Sequence, residues 1–483
     1  MRRDWQAFAF AHTPIVLLLA ALTVLYATTL NAHGMFEWDE AEYASLARSA
    51  MRGEGFSISG RPNSLRPPVL PLSGAAAMLL SRSSEDRVLK RCSLIFSALA
   101  LFVVYWGTAR QYDRDTGFVA AALLGLSPLF WTSTPHFMAE IPFMAFFTAA
   151  VLCFYFGVYD DARCFLWSWL WFALALLTRY TAVLFVPIVT AMLAVALVTG
   201  GATVRRRLFS RRFIFSPIVA LVVLAPWFIR EQLTFGDALI GLKRSSTQLL
   251  VYLPRVSMPW HFYLSGLPEM LSLVVVFFAL GIVWAAWRRD RFGLHWFAVA
   301  AGILVWFSCY RYKETRLVTS VLPFVAIVAA LGVTRLLATP AVRRGVVIPV
   351  AIAAVFGLGL FNTRATFTNS VTLGYPAFYV AMQFVRTYAS VKGVVVGANY
   401  PQIFWYADRQ AIDFPPTEAE LKTMLERVEW VIVTDFERGQ PPWVAPLVKK
   451  LSHQDVRDGN VMEFRDERFV TYVIRADLLQ KRL

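Results

Sequence analysis

Residues Phe36 to Pro68 read F-E-W-D-E-A-E-Y-A-S-L-A-R-S-A-M-R-G-E-G-F-S-I-S-G-R-P-N-S-L-R-P-P. The run follows directly on an apolar stretch from Thr13 to Leu30. Its charges therefore belong in the polar layer at one face of a membrane, with Asp39 and Glu40 close to the lipid boundary. Asp39 has the form of a helix N-cap, Glu42 stands where a capping box needs its acid, and Trp38 and Tyr43 occupy the staple positions. The helix that follows sets Tyr43, Leu46, Ala47, Ala50 and Met51 on one face, the pattern of an interfacial helix lying along the bilayer surface. Capping and catalysis are both open to Asp39, because a carboxylate has an oxygen for each.

Outward from this loop the chain is built of apolar runs. Of its 483 residues 57% are hydrophobic, and the runs reach the roughly 20 residues that a helix needs to cross hydrocarbon. The chain is thus expected to be a polytopic α-helical membrane protein. A formal net charge of +15 invites a nucleic-acid partner, but the cations fall in short connections between apolar runs, where orientation in a membrane places them. Nucleic acid is excluded on that ground. Cys92, Cys153, Cys164 and Cys309 lie in or beside apolar runs without ligand spacing and read as small buried side chains, with no disulfide framework.

The first apolar run follows Met1-Arg2-Arg3, exceeds the apolar core of a signal peptide and has no small-x-small cleavage site after it, so it reads as an uncleaved span with a cytoplasmic N-terminus. Val69 to Leu80 is too short to cross; with the charged stretch Arg82 to Arg91 it belongs to a first external loop, residues 31–91. Further spans are expected near Cys92 to Thr108, Phe118 to Ser133, Ile141 to Tyr159, Phe165 to Leu177 and Ala182 to Val198. Others follow near Phe213 to Ile229, Met270 to Trp287, Leu294 to Cys309, Ser320 to Leu336 and Val346 to Phe361, giving about eleven transmembrane helices. The inside connections then carry Arg110 and Arg114, Arg163, Arg205 to Arg207 with Arg211 and Arg212, Arg288, Arg289 and Arg291, and Arg343 with Arg344. Each is basic, as the positive-inside rule requires.

After the last span the character changes. Gly393 to Ala398, Trp430 to Thr434 and Phe469 to Ile474 have strand length and alternate with helical patterns at Ala377 to Tyr388, Thr417 to Arg427 and Val444 to Leu451. Residues 1–361 are expected to form the transmembrane region, and residues 362–483 an external α/β domain with its own core.

The middles of the expected spans are almost free of ionisable residues, which argues against an ion or proton path. The chemistry collects at the external face instead: carboxylates at Asp39, Glu40 and Glu140, cations at Arg66, Arg179, Lys313 and Arg316, and aromatic or polar rings at Trp227, Trp260, His261, Phe262 and Tyr263. Rings at span ends commonly serve as interfacial anchors, and Arg179, Lys313 and Arg316 could equally snorkel or pair locally. Glu140 opens a span in an otherwise uncharged turn, P-H-F-M-A-E-I-P. Its place there needs a reason.

The ordered signposts W-D-E-A-E-Y-A-S-L-A-R-S-A-M, L-R-P-P, P-H-F-M-A-E-I-P, L-L-T-R-Y, A-P-W-F, M-P-W-H-F-Y and Y-K-E-T-R-L-V-T-S-V-L-P resemble those of GT-C membrane glycosyltransferases. The likeness is to the branch with the lipid A aminoarabinose transferase and the protein O-mannosyltransferases. It implies a polyprenyl-phosphate sugar donor presented from the bilayer, a lipid or glycan acceptor, inversion at the anomeric carbon, and a bacterial inner membrane with the active site and C-terminal domain outside. It further implies Asp39 as general base with Glu40 beside it, Glu140 as a second carboxylate, and Arg66, Arg179, Lys313 and Arg316 around the donor phosphate. Tyr43, Trp260, His261 and Tyr263 are candidate substrate contacts. Some relatives bind a divalent metal through an acidic residue before the basic one; this chain has Leu65 there, and no metal ligand is assigned. The absence of a module between Arg230 and Glu269 weakens a protein acceptor. The competing readings are a flippase for a lipid-linked glycan, which should show charged or broken helices at mid-membrane, and an assembly subunit in which Asp39 is only a cap.

Overall fold

The computed structural model describes residues 2–29, 36–252, 258–337, 346, 349–357, 375–437, 440–449, 451 and 453–482. The expected end of the first span at Leu30, the Arg343 and Arg344 connection, residues 347, 348 and 358–361 of the span expected at Val346 to Phe361 and the domain boundary at 361/362 lie outside the described residues. The chain is predominantly helical and polytopic. Among the described residues six helices are long and apolar enough to cross a membrane: Asp86–Gln111, Glu140–Tyr159, Tyr180–Thr199, Ala202–Phe235, Arg291–Ser308 and Thr315–Arg335. The pair Phe262–Leu271 and Val274–Arg288, bent by 109°, makes a seventh if taken as one span, and Thr13–Thr28, Val69–Ser81 and Cys164–Leu176 are shorter apolar helices.

Two expected spans are broken. Phe118 to Ser133 is divided into Arg114–Gly125 and Pro128–Ser133. Ser127 is extended, at φ −68° and ψ 137°, because the ring of a following proline excludes the α region for the residue before it. The run from Met270 to Trp287 starts inside one helix and continues in another, the chain turning at Ser272, whose φ is 53°.

The chain divides into two compact units. The first comprises Met1–Leu30, Ser64–Leu70 and Lys90–Thr368. Within it Glu140–Tyr159 is buried along its whole apolar window and Thr315–Arg335 over 94% of it, whereas Ala202–Phe235 is 22% buried. The first two helices are therefore central, and the outward side chains of the third, such as Leu221 and Val222, are free to meet lipid. Cys92, Cys153 and Cys164 are buried as expected; Cys309, at the end of Arg291–Ser308, is exposed. With no hydrophobic drive between helices in lipid, close approach depends on small residues. A methyl group at Gly281 would overlap the Val328 carbonyl, and one at Gly332 would overlap the Phe277 carbonyl.

The second unit comprises Asn31–Asn63, Pro71–Leu89 and Asn369–Leu483. Its centre is a five-stranded sheet of order β4-β3-β5-β7-β6, with β3 (Val394–Val396), β4 (Gln410–Ile412) and β5 (Val428–Thr434) parallel. β6 (Val461–Arg465) and β7 (Val470–Arg475) complete it antiparallel. Val396, Leu421, Val431, Val433, Leu447 and Ile474 fill the core, so the strands and helices expected in the C-terminal stretch form one α/β layer structure. Part of the first loop belongs to the same unit: the hairpin β1 (Ser57–Ile58) and β2 (Arg61–Pro62), and the acidic helix Trp38–Met51. The expectation that this helix lies on a bilayer through one apolar face is not met. Every residue from Glu40 to Ser49 is buried, and the helix packs on Tyr400–Ala407.

Replacing Gly281 by Leu should lower the thermal unfolding midpoint in detergent, since forced overpacking costs about 1–3 kcal/mol or more. Gly302→Ala is the control, because a methyl group there meets nothing within 4 Å. Equal midpoints for the two variants would remove close glycine packing from the account.

Candidate functional site

The acidic helix begins one residue before Asp39. Its N-cap is Glu37, at φ −65° and ψ 170°, and the Glu40 carboxylate accepts the Glu37 N–H at 2.9 Å. The capping box is thus Glu37 with Glu40, two residues upstream of the expected Asp39 and Glu42. Asp39 stands half-buried in the first turn, where the positive end of the helix dipole favours an ionised carboxylate. Glu40 and Glu42 are each 1% exposed, and Glu42 accepts the Tyr400 hydroxyl at 3.3 Å. Tyr43, expected to touch substrate, is packed into the interior of its unit.

In the first unit Glu140 is the first residue of the central helix Glu140–Tyr159 and is 5% exposed. Arg179 Nη1 donates to its Oε1 at 2.7 Å. That pairing is the reason an acid can open this helix, since a buried carboxylate without a partner is strongly disfavoured. Arg179 follows Cys164–Leu176 and precedes the 3₁₀ turn Tyr180–Leu184. Its flanks hold a second segment: the Val69 N–H donates to the Leu177 carbonyl at 2.9 Å, and the Tyr180 hydroxyl donates to the Ser64 carbonyl at 3.0 Å. Residues 64–69 are therefore pinned at both ends to the strip that bears Arg179, and half-buried Arg66 is carried between the pins, ahead of two prolines that restrict its backbone.

The third segment of the site is the turn before Thr315–Val321. Arg316 is ion-paired with Glu314, and its Nη1 lies 3.7 Å from the Met138 sulfur, two residues before Glu140. The Glu314 carbonyl accepts the Tyr263 hydroxyl at 3.2 Å. Lys313 is 4% exposed and donates to the carbonyls of Met258, at 3.2 Å, and Tyr310, so its ammonium fastens the loop. Glu140 and Arg179 are paired directly, Arg66 lies on the segment tied to the residues flanking Arg179, Arg316 reaches Met138, two residues before Glu140, and buried Tyr263 holds the Glu314 carbonyl beside Arg316. Trp260 is 70% exposed and His261 is exposed beside it, as surface rings are. Asp39, Glu40 and Tyr43 belong to the other unit.

Sequence reasoning missed a buttress to residues 64–69. Arg244, on Ile240–Tyr252, donates to the Ser64 hydroxyl at 2.8 Å, and Trp227 Nε1 donates to the Tyr180 hydroxyl at 3.2 Å. A methyl at Gly241 would come within 2.5 Å of the Ser64 carbonyl, which makes glycine necessary there. Glu231, fully buried and paired with Arg230, lies near the end of the same apolar helix as Trp227. The adjacent Arg-Glu closing an apolar run was its available signal. Among the described residues no group of three or more His, Cys, Asp or Glu side chains gathers in the manner of a metal site.

The chain matches two family models in succession: dolichyl-phosphate-mannose-protein mannosyltransferase over residues 65–229 and the Alg9-like mannosyltransferase family over residues 257–400. Its fold is similar to that of ArnT from Cupriavidus metallidurans, solved in the apo state (TM-score 0.74, 16% identity, covering 97% of this chain and 99% of that one). The same enzyme bound to undecaprenyl phosphate gives a TM-score of 0.72 at 14% identity, covering 96% and 98%. The oligosaccharyltransferase of Archaeoglobus fulgidus is similar at a TM-score of 0.61 and 15% identity, covering 86% of this chain and 67% of that one. No curated relative matches at a significant level. The chain is a glycosyltransferase and resembles the GT-C superfamily, ArnT and the protein mannosyltransferases included.

The pair at Glu140 makes a test of its own. Arg179→Met should lower the unfolding midpoint in detergent, since it leaves the buried Glu140 carboxylate without its partner, by less than the ~3–5 kcal/mol of a fully buried pair because Arg179 is half-buried. Adding Glu140→Gln should recover most of that loss. Equal stability of both variants and the parent would show the pair to be solvated and without structural weight.

Proposed function

We propose that the chain is an inverting transferase that moves a sugar from a polyprenyl-phosphate carrier to a hydroxyl or phosphate acceptor on an envelope lipid or polysaccharide. It works at the periplasmic face of a bacterial inner membrane. The observation that supports this most is the fold likeness, over nearly the whole chain, to a protein solved with undecaprenyl phosphate. In this reading residues 1–361 form the catalytic region with about eleven crossings and an inside N-terminus, and residues 362–483 form an external α/β domain.

The chemistry asks little of the protein beyond one base and several cations. A glycosidase must protonate a poor leaving group, which is why it carries two carboxylates. A phosphate departs as a stable anion, so the acid can be omitted while guanidinium groups hold the growing charge. Asp39 is assigned the base, because the cap of its helix is made by Glu37 and Glu40 and Asp39 stands half-buried in the first turn beside it. Arg66 and Arg179 are assigned the donor phosphate, with Arg316 adding charge and Glu140 aiming Arg179. Lys313 directs its charge at backbone carbonyls and is the weaker phosphate candidate.

The experiment is sugar transfer by purified protein in detergent with a panel of polyprenyl-phosphate sugars. Asp39→Asn should fold as the parent does, its helix cap being elsewhere, and lose transfer. Arg66→Ala should lower turnover by ~10²-fold at saturating donor, as a lost electrostatic stabiliser does. Arg66→Lys should recover part, keeping the charge without the fork. Parent-like transfer by Asp39→Asn would move the base to Glu40 or Glu140, and parent-like turnover by Arg66→Ala would leave the phosphate to Arg179 and Arg316.

A further inference from the structure

The acidic helix and the helix Tyr400–Ala407 run alongside one another in the second unit, joined from end to end. Trp38 Nε1 donates to the Ala398 carbonyl at 3.1 Å, the Tyr400 hydroxyl reaches Glu42, and the Ser45 hydroxyl meets the Pro401 carbonyl at 3.4 Å. Arg48 comes next, and Arg52 closes the series on Asp408 at 3.4 Å. Positions 38, 42, 45, 48 and 52 are spaced by three and four, one face of a helix. They meet partners that ascend from 398 to 408, so the two helices run parallel in one register.

Arg48 is the costly member of that series. It is 6% exposed, and its guanidinium forks onto two consecutive carbonyls at the end of the partner helix: Nη1 on Trp405 at 2.8 Å and Nη2 on Phe404 at 2.5 Å. The same group lies 4.8 Å from the Phe404 ring and 4.7 Å from the Trp405 ring, with Asp408 Oδ1 at 3.6 Å. Burial pulls its pKa down to about 10, against the pull of Asp408, and the side chain is still charged at neutral pH. A helix C-terminus attracts a cation through its unsatisfied carbonyls and dipole. A slip of one turn, about 5.4 Å, would leave this charge buried without the carbonyls that satisfy it.

We propose that Arg48 is a positioning residue that locks the acidic helix in one register on the Tyr400–Ala407 helix, so that the small α/β fold sets where the Asp39 carboxylate stands. Arg48 touches no reacting group; it acts through the helix that bears Asp39, nine residues upstream. The proposal rests on the assignment of Asp39 as base. It gives the C-terminal α/β fold the task of holding the helix that bears Asp39, since the carbonyls that hold Arg48 come from residues 404 and 405.

The test uses the full chain in detergent. Arg48→Lys keeps the charge and loses the fork, Arg48→Ala loses both, and Asp408→Ala weakens the clamp from the partner side. Turnover should fall ~10-fold in Arg48→Lys and ~10²-fold in Arg48→Ala, the scale expected for a base displaced by about 1 Å. The donor KM should stay within about twofold, because the phosphate contacts are untouched. Hydrogen exchange should rise over residues 38–51 and stay unchanged over β5. If Arg48→Ala fails to fold, Arg48→Lys and Asp408→Ala carry the same readouts. Parent-like kcat in the folded variants would overturn the proposal, as would a loss of turnover that vanishes once normalised to folded protein. Full activity in Asp39→Asn would instead overturn the assignment of the base, and that outcome is distinct from any result at Arg48.

Discussion

A carboxylate that opens an apolar, fully buried helix must be paired, and the ion pair of Glu140 with Arg179 is the interaction around which the membrane unit is arranged. Coulomb attraction at 2.7 Å is strong only where water is scarce, and Glu140 sits where it is scarce while Arg179 is half-buried beside it. Arg179 can hold that place because the residues beside it are themselves tied: Leu177 to Val69, and Tyr180 to Ser64 and Trp227. The same ties fix Arg66. One electrostatic requirement thus recruits three stretches of chain far apart in sequence and leaves their cations on a common frame.

Much of this was legible in the sequence for a definite reason. The helices of the membrane unit announce themselves by uniform apolarity, and the expected spans from Cys92 to Leu336 coincide with one helix or with two or three consecutive ones. The break at Pro128 follows from a local rule that proline writes into the preceding residue. The turn at Ser272 carries no such signature, since a left-handed serine is chosen by its surroundings. The strands β3, β5 and β7 were visible as short branched apolar runs, while β4 and β6, short or mixed with charge, were not.

The acidic helix shows where local reading stops. Asp39 looks like a cap because Asp is favoured there and Glu is not, yet Glu37 takes the position because Glu40 returns a bond to its backbone. The apolar face of the helix was read as a membrane face, but its partner is a segment of tyrosine, phenylalanine and tryptophan that joins Arg48 across 357 residues of chain. No window of local sequence contains both. The residue types that would reveal the pairing, a buried arginine and a helix end rich in rings, acquire meaning only once the fold has placed them side by side. The lesson at Lys313 is similar: a cation in a run of charge is spent on two carbonyls, whereas Arg316, three residues on, reaches the Met138 sulfur just before the Glu140 helix.

The central claim is chemical transfer from a polyprenyl-phosphate sugar, as opposed to movement of an intact lipid-linked glycan. It is tested most directly by reconstituting the purified protein in vesicles with a polyprenyl-phosphate sugar labelled at the anomeric carbon, and following that carbon by NMR together with the sidedness of the donor. The account predicts release of polyprenyl phosphate and a new glycosidic bond of inverted configuration on the acceptor. Translocation of the donor with its sugar–phosphate bond intact, and no new bond formed, would contradict it.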